Sequence, residues 1–257
     1  MVILAGGQGT RLREATEQIP KPMVPIGGNP ILWHIMKVYS AHGFRRFVVC
    51  LGYKGWEIKR WFLDIRALQS DFTLRLDGGG DITYHDERGL EDWEVSLVET
   101  GERTGTGGRL HRVAHLLDAD HFLYTYGDGL GAVDLGALFQ FHLNHGRLAT
   151  LTGVRPSGRY GELEVSGDVV VQFNEKPTIS EGFVNGGFFA CRREVLDYVG
   201  PEPARLMFEQ EPLQKIARAG ELRIFRHEGF WMGMDTFREY TALNEMWEAG
   251  RAPWKTW

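Results

Sequence analysis

The chain has little cysteine and no long apolar run. Its 2 cysteines, Cys50 and Cys191, lie far apart and neither belongs to a CxxC pair. This pattern favours buried structural thiols in a reducing compartment over a disulfide framework or a zinc site. No apolar stretch approaches the roughly 20 residues needed to span a bilayer, and the first residues lack the basic and apolar regions of a secretory signal. We therefore predict a cytoplasmic protein with no membrane partner.

An excess of positive charge is also missing. With 29 Lys and Arg against 34 Asp and Glu, the formal net charge is -5, which disfavours a nucleic-acid partner because such surfaces are normally basic. Glycine, in contrast, is abundant: 33 of 257 residues is almost twice the usual share of about 7%. Because glycine lets a ligand approach the backbone closely, we expect several of these residues in substrate loops.

Strand-length apolar runs alternate with helical patterns along the 257 residues. This alternation predicts an α/β fold, with a Rossmann-like, mixed but mainly parallel sheet flanked by helices, in a single domain. After residue 155, short pieces at 162–165, 169–173 and 183–191 predict antiparallel strands. Residues 77–81 are interpreted as a hairpin turn because the ligand spacing of a calcium loop is absent. The main predicted strands are 2–5, 47–51, 122–126 and 149–154, and the predicted helices begin at Pro30, Gly107, Leu135 and Phe237. Because only Met1 precedes the first strand, one or two residues are expected to be missing there.

A glycine-rich loop follows the first predicted strand. Gly6, Gly7 and Gly9 allow backbone N–H groups to approach phosphate oxygens, and Arg11 and Lys21 can neutralise the phosphate charge. A dinucleotide fingerprint requires glycine where this chain has Leu12, and a P-loop requires Gly-Lys-Ser/Thr. The loop therefore indicates a nucleotide site outside these two common motifs, which disfavours an oxidoreductase.

Further motifs follow in order along almost the whole chain. They are ILWHIM at 31–36, TGGRL at 106–110, YGDG at 126–129, EKP at 175–177, NGGFF at 185–189 and APWKTW at 252–257. Together with the glycine loop, they resemble the sugar-1-phosphate nucleotidyltransferases, and within them the cytidylyltransferase branch that makes CDP-glucose. The resemblance implies transfer of a cytidylyl group from CTP to α-D-glucose 1-phosphate, with release of pyrophosphate. Use of UTP or dTTP, or a non-catalytic sugar-nucleotide sensor on the same fold, remain the alternatives.

Such a reaction needs cations rather than a base, because the attacking sugar phosphate is already an anion. Asp128 ends a predicted strand and should lie at the carboxyl edge of the sheet, where ligands bind. The resemblance implies that Arg11, Lys21 and Asp128 are catalytic, and that Asp128 and Asp235 hold Mg²⁺, the expected cofactor. A helix cap or turn role is the alternative for Asp128, and a helix N-cap for Asp235.

The resemblance also divides the substrate contacts between two parts of the chain. Residues of about 1–154 are expected to bind the nucleotide, with Arg11 at the β and γ phosphates and Lys21 at the α-phosphate. Arg109 has a charged helix residue as its alternative, and Thr104 stands where serine is expected. The predicted nucleotide contacts are Leu4, Ala5, Gly6, Gly7, Gln8, Gly9, Thr10, Arg11, Lys21, Thr104, Arg109 and Asp128.

The second part, about 155–257, is expected to bind the sugar phosphate and to carry the C-terminal helix. The resemblance assigns Lys176 to the sugar phosphate and Glu175 to sugar hydroxyls. A plain turn role is the alternative for Asn185. The predicted sugar-phosphate contacts are Tyr160, Gly161, Glu175, Lys176, Asn185 and Gly186.

Other chemistry-bearing residues are interpreted structurally. His85, His111, His115 and His121 have no shared spacing and are expected to be solvated or locally hydrogen-bonded. Eight tryptophans and an aromatic tail, together with the resemblance, predict a homo-oligomer, either a dimer or a hexamer.

Overall fold

A computed structural model describes residues 1–7, 19–77, 80–85, 90–155, 162–166, 169–174, 182–200 and 205–257, with only the backbone described at 162–166 and 169–174. In chain order, its strands are β1 Val2–Leu4, β2 Pro25–Ile26, β3 Asn29–Pro30, β4 Arg46–Leu51, β5 Phe72–Leu74, β6 Ile82–Tyr84, β7 Glu94–Glu99, β8 His121–Tyr126, β9 Gly129–Gly131, β10 Ala149–Val154, β11 Glu162–Ser166, β12 Val169–Asn174, β13 Val184–Arg192, β14 Leu222–His227 and β15 Trp231–Gly233. The α-helices are α1 Ile31–Ala41, α2 Gly55–Gln69, α3 Thr106–Val113, α4 Leu135–His145, α5 Glu211–Arg218 and α6 Phe237–Glu248.

A central sheet of seven strands organises the fold. Its strand order is β14-β10-β13-β8-β1-β4-β7. Every neighbouring pair is parallel except the two that involve β13, which runs antiparallel between β8 and β10. The sheet is therefore mixed and mainly parallel, which confirms the predicted fold class.

Helices cover both faces of this sheet, and side-chain alternation along β1 explains why. Val2 and Leu4 belong to one buried cluster, whereas Ile3 and Ala5 belong to another on the opposite face. The first face packs against α3 and α5, and the second against α1, α4 and residues of α6. Strands buried on both faces consist of nearly continuous apolar residues, as the run of five buried residues in β4 shows.

The two cysteines lie inside these clusters, as predicted. Cys50 and Cys191 are both buried free thiols, and burial raises the pKa of each thiol above its usual value. Their packing is that of small apolar side chains. No helix in the described ranges is both long and apolar enough to cross a bilayer.

Several element boundaries differ from the sequence prediction. The helix predicted to begin at Gly107 begins at Thr106, is α-helical to Val113 and continues as a 3-10 turn over Ala114–Leu116. The predicted antiparallel strands separate, because β11 and β12 form their own hairpin while β13 enters the central sheet. Strands β5 and β6 pair antiparallel around residues 77–81, which confirms the hairpin, although residues 78–79 lie outside the described ranges.

Candidate active site

A cleft of about 690 Å³ opens at the carboxyl ends of β1 and β8. Ligands collect at this edge in α/β folds. The cleft brings together most of the predicted nucleotide and metal residues that the structure describes. They are Leu4, Gly6, Gly7, Lys21, Thr104, Arg109, Asp128 and Asp235.

The parallel strands explain why segments far apart in sequence meet here. After β1, the backbone N–H of Ala5 donates to Cys50 O at 3.0 Å, so the chain stays paired with β4 until it turns into the glycine loop. After β8, Gly127 passes so close to β1 that a Cβ at this position would lie 2.7 Å from Leu4 O. Glycine is therefore required at position 127 to bring Asp128 to the mouth of the cleft.

Lys21 lies between the two predicted metal ligands. Its Nζ donates to Asp128 Oδ2 at 2.7 Å and to Asp235 Oδ1 at 2.7 Å. Burial by itself would lower the pKa of Lys21, but the charge of Asp128 and hydrogen bonds to both carboxylates outweigh it and raise the pKa. Lys21 is therefore a buried, charged ammonium group that holds both aspartates at one point.

The structure does not support the cap alternatives for these aspartates. The N-cap of α4 is Asp134, whose side chain accepts from the N–H of Ala137. The N-cap of α6 is Thr236, which forms a capping box with Glu239. Asp128 and Asp235 instead direct their carboxylates to Lys21.

The two aspartates fit the predicted magnesium ion in donor chemistry. Mg²⁺ prefers carboxylate oxygens and completes its shell with phosphate oxygens and water, so one or two protein carboxylates suffice. Both carboxylates are partly exposed and already surround a cation, the Lys21 ammonium. Within the described ranges, no group of three or more His, Cys, Asp and Glu is arranged to hold a metal ion.

Arg109 is almost fully buried beneath the glycine loop, at 4% exposure. Its Nη1 donates to Leu51 O at 2.7 Å and to Thr100 Oγ1 at 2.7 Å, and its Nη2 donates to Gly6 O at 3.1 Å. Each acceptor follows or ends one of three adjacent parallel strands, β4, β7 and β1. Arg109 thus ties three strand ends together under the cleft, and its predicted contact with the nucleotide stays a prediction.

The segment after residue 204 closes the cleft from the other side, a feature that the sequence analysis did not predict. Leu206 O accepts from the N–H groups of Gly107 at 2.9 Å and Gly108 at 3.3 Å, so a backbone carbonyl caps the start of α3. Arg205 and Met207 consequently line the cleft. The sequence signal was weak because capping by a distant carbonyl needs no particular side chain.

The predicted sugar contacts are described only in part. Asn185 lies in β13, where its Oδ1 accepts from the N–H of Gly187 at 2.8 Å and its Nδ2 donates to Tyr126 Oη at 3.1 Å. Tyr126 lines the cleft, and Gly186 O accepts from Trp231 Nε1 at 2.7 Å. Eight other predicted site residues lie in segments outside the described residues. They are Gln8, Gly9, Thr10, Arg11, Tyr160, Gly161, Glu175 and Lys176.

Histidines gather at the opposite edge of the sheet, near the start of β8. His121 Nδ1 lies 3.2 Å from His142 Nε2, and His142 and His145 each contact Thr150 Oγ1. Burial lowers the pKa of His142 to about 4. This local hydrogen bonding agrees with the structural interpretation of His121, and it lies at the end of the strand away from Asp128.

Comparison with known proteins identifies the class of this α/β fold. The profile of the family "Nucleotidyl transferase" matches residues 1–249, and the chain belongs to that family. Two similar relatives are a glucose-1-phosphate cytidylyltransferase of Salmonella typhi and a probable glucose-1-phosphate cytidylyltransferase of Bacillus subtilis. The first is 48% identical over 257 residues, covering 100% of this chain and 98% of the relative. The second is 42% identical over 256 residues, covering 100% and 99%.

Solved structures share this fold. The crystal structure of HddC from Yersinia pseudotuberculosis has 25% sequence identity and a TM-score of 0.69, over 96% of this chain and 98% of that one. A putative glucose-1-phosphate thymidylyltransferase from Bacillus anthracis has a TM-score of 0.70 at 15% identity over 98% and 94% of the two chains, so it supports the fold alone.

Proposed function

We propose that this protein transfers a cytidylyl group from CTP to α-D-glucose 1-phosphate, giving CDP-glucose and pyrophosphate. The observation that carries the proposal is the 48% identity, over the full chain, to a glucose-1-phosphate cytidylyltransferase. The cleft supports the same chemistry, because a lysine and two aspartates meet at the sheet edge where a nucleotide phosphate binds in such folds.

In the proposed reaction, a phosphate oxygen of the sugar substrate attacks the α-phosphorus of CTP. The new P–O bond forms as the bond from the α-phosphorus to the bridging oxygen breaks, and pyrophosphate leaves with that electron pair. Because the nucleophile is already an anion, the site must align two charged groups and neutralise the charge that builds between them. No proton transfer from the nucleophile is needed.

Each residue has a defined proposed task in this step. Lys21 would donate to the α-phosphate, where its charge stabilises the transition state. Asp128 and Asp235 would hold Mg²⁺, which when bound supplies further positive charge to the phosphates. Leu4, Ala5, Gly6 and Gly7, Thr104 and Arg109 would form the nucleotide side. The roles of Gln8, Gly9, Thr10 and Arg11 at the phosphates, and of Tyr160, Gly161, Glu175, Lys176, Asn185 and Gly186 at the sugar, are proposed on the family resemblance.

The test is a pyrophosphate-release assay with glucose 1-phosphate and each of CTP, UTP, dTTP, ATP and GTP. We expect CTP to give a kcat/KM at least about tenfold above the others, the scale of one or two well-placed base hydrogen bonds. Equal rates with UTP would contradict the base assignment and leave the reaction class standing. Nucleotide binding with no pyrophosphate release from any of the five would instead favour a sensor.

We also propose a homo-oligomer, a dimer or a hexamer, in the cytoplasm, where CTP and sugar phosphates are available. Exposed apolar side chains on α2 and the β5–β6 hairpin support an assembly: Trp56 and Leu68 on the helix and Leu76 in the hairpin are exposed by 61%, 65% and 86%. Light scattering tests this. A clean particle of 29 kDa would contradict it.

The two proposed parts, about 1–154 and 155–257, would belong to one domain. Strand β13 of the second part is hydrogen-bonded on both sides to strands of the first part, β8 and β10. Separate expression of residues 1–154 tests this proposal. We expect that fragment not to fold, because it would lack the strand between β8 and β10.

A further inference from the structure

Glu209 accepts hydrogen bonds from three hydroxyl groups. Its Oε1 accepts from Tyr126 Oη at 2.7 Å and from Tyr124 Oη at 3.2 Å, and its Oε2 accepts from Thr106 Oγ1 at 2.5 Å. None of the steps proposed above uses this carboxylate. It lies just before α5 and behind the cleft wall, where Tyr126 and Thr106 stand between it and the cleft.

The Thr106 branch of this network reaches the nucleotide side. Thr106 is the first residue of α3 and lies between Thr104 and Arg109, in the segment 104–109 that is proposed to contact the nucleotide. Its hydroxyl donates to Glu209 and accepts from the N–H of Phe208 at 2.7 Å. Any shift of the segment 104–109 therefore changes the hydrogen bonds of Glu209.

The Tyr126 branch reaches the sugar side. Tyr126 Oη donates to Glu209 Oε1 and accepts from Asn185 Nδ2 at 3.1 Å. Asn185 is a proposed sugar contact, and Tyr126 lines the cleft. A continuous chain of hydrogen bonds thus joins Thr106, Glu209, Tyr126 and Asn185.

The three hydroxyl donors that meet here need a side chain with an acceptor at both ends. A carboxylate offers only acceptors and can serve all three hydroxyl donors, whereas an amide of the same shape turns one of its two ends into a donor. Hydrogen bonds to a charged acceptor are also about twice as strong as neutral ones. Glu209→Gln would therefore weaken one branch while conserving volume, because a neutral amide N–H must donate to a hydroxyl that donates to the carboxylate in the wild type.

We propose that Glu209 is a positioning residue that couples the binding of the two substrates. When the nucleotide orders the segment 104–109, Glu209 fixes Tyr126 and Asn185 in the orientation that the sugar phosphate needs. Coupling of this kind is reciprocal, so the sugar phosphate favours nucleotide binding by the same factor. This inference rests on the proposed function, because it assigns the two branches to the two substrates.

Calorimetry on the full chain measures the coupling directly. The dissociation constant of glucose 1-phosphate is determined with and without a saturating, non-hydrolysable methylene analogue of CTP. We expect the analogue to tighten sugar-phosphate binding by about fivefold or more in the wild type, at the lower end of typical coupling factors, and by less than about twofold in Glu209→Gln.

Glu211→Gln is the matched control. Glu211 lies two residues away and forms an exposed ion pair with Lys215, so this variant should keep the coupling of the wild type. Tyr126→Phe breaks the sugar branch and leaves the Glu209 carboxylate in place, which provides a second variant if Glu209→Gln does not fold. Loss of a direct sugar contact would raise the dissociation constant of glucose 1-phosphate by the same factor with and without the analogue. Loss of coupling would instead change the ratio of these two dissociation constants.

The outcomes separate this inference from the proposed function. The inference would be overturned if a folded Glu209→Gln variant, or Tyr126→Phe, kept the coupling of the wild type. It would also be overturned if the wild type bound the two ligands independently. A wild type that binds neither CTP analogue nor glucose 1-phosphate would contradict the proposed function itself.

Discussion

Two walls of the cleft each hold a buried cation, and they balance its charge in opposite ways. On one wall, Lys21 is bound by the carboxylates of Asp128 and Asp235. On the other, Arg109 is bound by neutral groups, which are the carbonyls of Leu51 and Gly6 and the hydroxyl of Thr100. Both side chains belong to residues less than 10% exposed.

The pKa shifts of the two cations reflect these partners. Burial lowers the pKa of Arg109, since carbonyl dipoles replace only part of its hydration. The pKa of Lys21 is raised, because two anions more than offset its burial. The partners of Lys21 are carboxylates, which can also bind another cation, whereas two of the three partners of Arg109 are backbone carbonyls. The wall that holds Lys21 is thus suited to catalysis, and the wall that holds Arg109 is suited to structural support.

The difference between the two walls should be reduced most when Asp128 loses its charge. We expect Asp128→Asn to lower kcat by about 10³-fold or more, because it removes a proposed metal ligand and an anionic partner of Lys21 together. Pyrophosphate release with CTP and glucose 1-phosphate measures the change. Asp134→Asn, which alters the cap of α4 and a carboxylate 3.8 Å from His42 Nε2, is the control and should retain kcat within about twofold while costing about 1 kcal/mol of stability or less.

Removing the cation itself gives the next largest effect. Lys21→Met should lower kcat by roughly 10²-fold, the scale for one preorganised charged group. It also removes the ammonium group that lies between the two carboxylates, so added Mg²⁺ should raise the Tm of this variant more than that of the wild type.

The control for Lys21 is Lys59→Met, which removes a partly exposed ion pair with Glu99 on the outside of the cleft. Its kcat and its response to Mg²⁺ should match those of the wild type. If Lys21→Met retained kcat, electrostatic catalysis by this wall would be refuted.

The supporting wall is tested by Arg109→Lys. A lysine has a single nitrogen and cannot reproduce the guanidinium fork that reaches three strand ends. Unpaired buried acceptors cost about 1–3 kcal/mol each, so we expect the Tm to fall by roughly 4–10 °C. The kcat/KM for CTP should fall by about tenfold because the Gly6 carbonyl loses its anchor.

Arg112→Lys provides a graded comparison for this prediction. Arg112 Nη1 makes one bond, to Thr100 O at 2.6 Å, and the smaller network should give less than half the fall in Tm. Equal falls in the two variants would mean that the fork of Arg109 has no special role. Differential scanning fluorimetry is sufficient for both.

Histidine substitutions should have the smallest effect on catalysis. His34→Gln, His111→Gln and His227→Gln should each leave kcat within about threefold, because an anionic nucleophile needs no general base. A larger loss in a variant that is folded by circular dichroism would reveal an acid–base step.

The same His34 should, however, affect stability at acid pH. Burial lowers its pKa to about 4 from the ordinary value of 6.5. The unfolded chain therefore takes up a proton first as the pH falls through 6.5, and the free energy of unfolding decreases from pH 6.5 down to about 4. Chemical denaturation across this range should show a shallower decline in His34→Gln than in the wild type, and parallel curves would contradict the assignment.

Sequence patterns predicted those parts of the structure that depend mainly on the local sequence. Strands β1, β4, β8 and β10 were predicted within one residue at each end, because continuous apolar runs have few alternatives in an α/β chain. The resemblance implied Lys21 and Asp128 as catalytic residues and Asp128 and Asp235 as metal ligands, and the structure brings these three side chains together.

Long-range packing was not predictable from these patterns. Residues 183–191 were predicted as an antiparallel strand, but nothing local indicates that β13 lies between β8 and β10, since its neighbours are chosen by the whole fold. The carbonyl partners of Arg109 were missed for a similar reason, because backbone acceptors leave no residue signature. Glu209 was missed because it lies in no motif; only its position before a helix, in Glu-Gln-Glu, marks the segment.

The position of Lys21 also predicts the order of steps in folding. Its two carboxylate partners lie 107 and 214 residues further along the chain, and the turn after it is held by Asn244, whose Oδ1 accepts from the N–H of Gly27 at a separation of 217 residues. Contacts between such distant residues form late in folding, because the entropy of closing large loops must first be offset by other interactions. During refolding from denaturant, helical circular dichroism should therefore return well before pyrophosphate release, and the interval between them is the time that the chain needs to bring its far end back to its lysine.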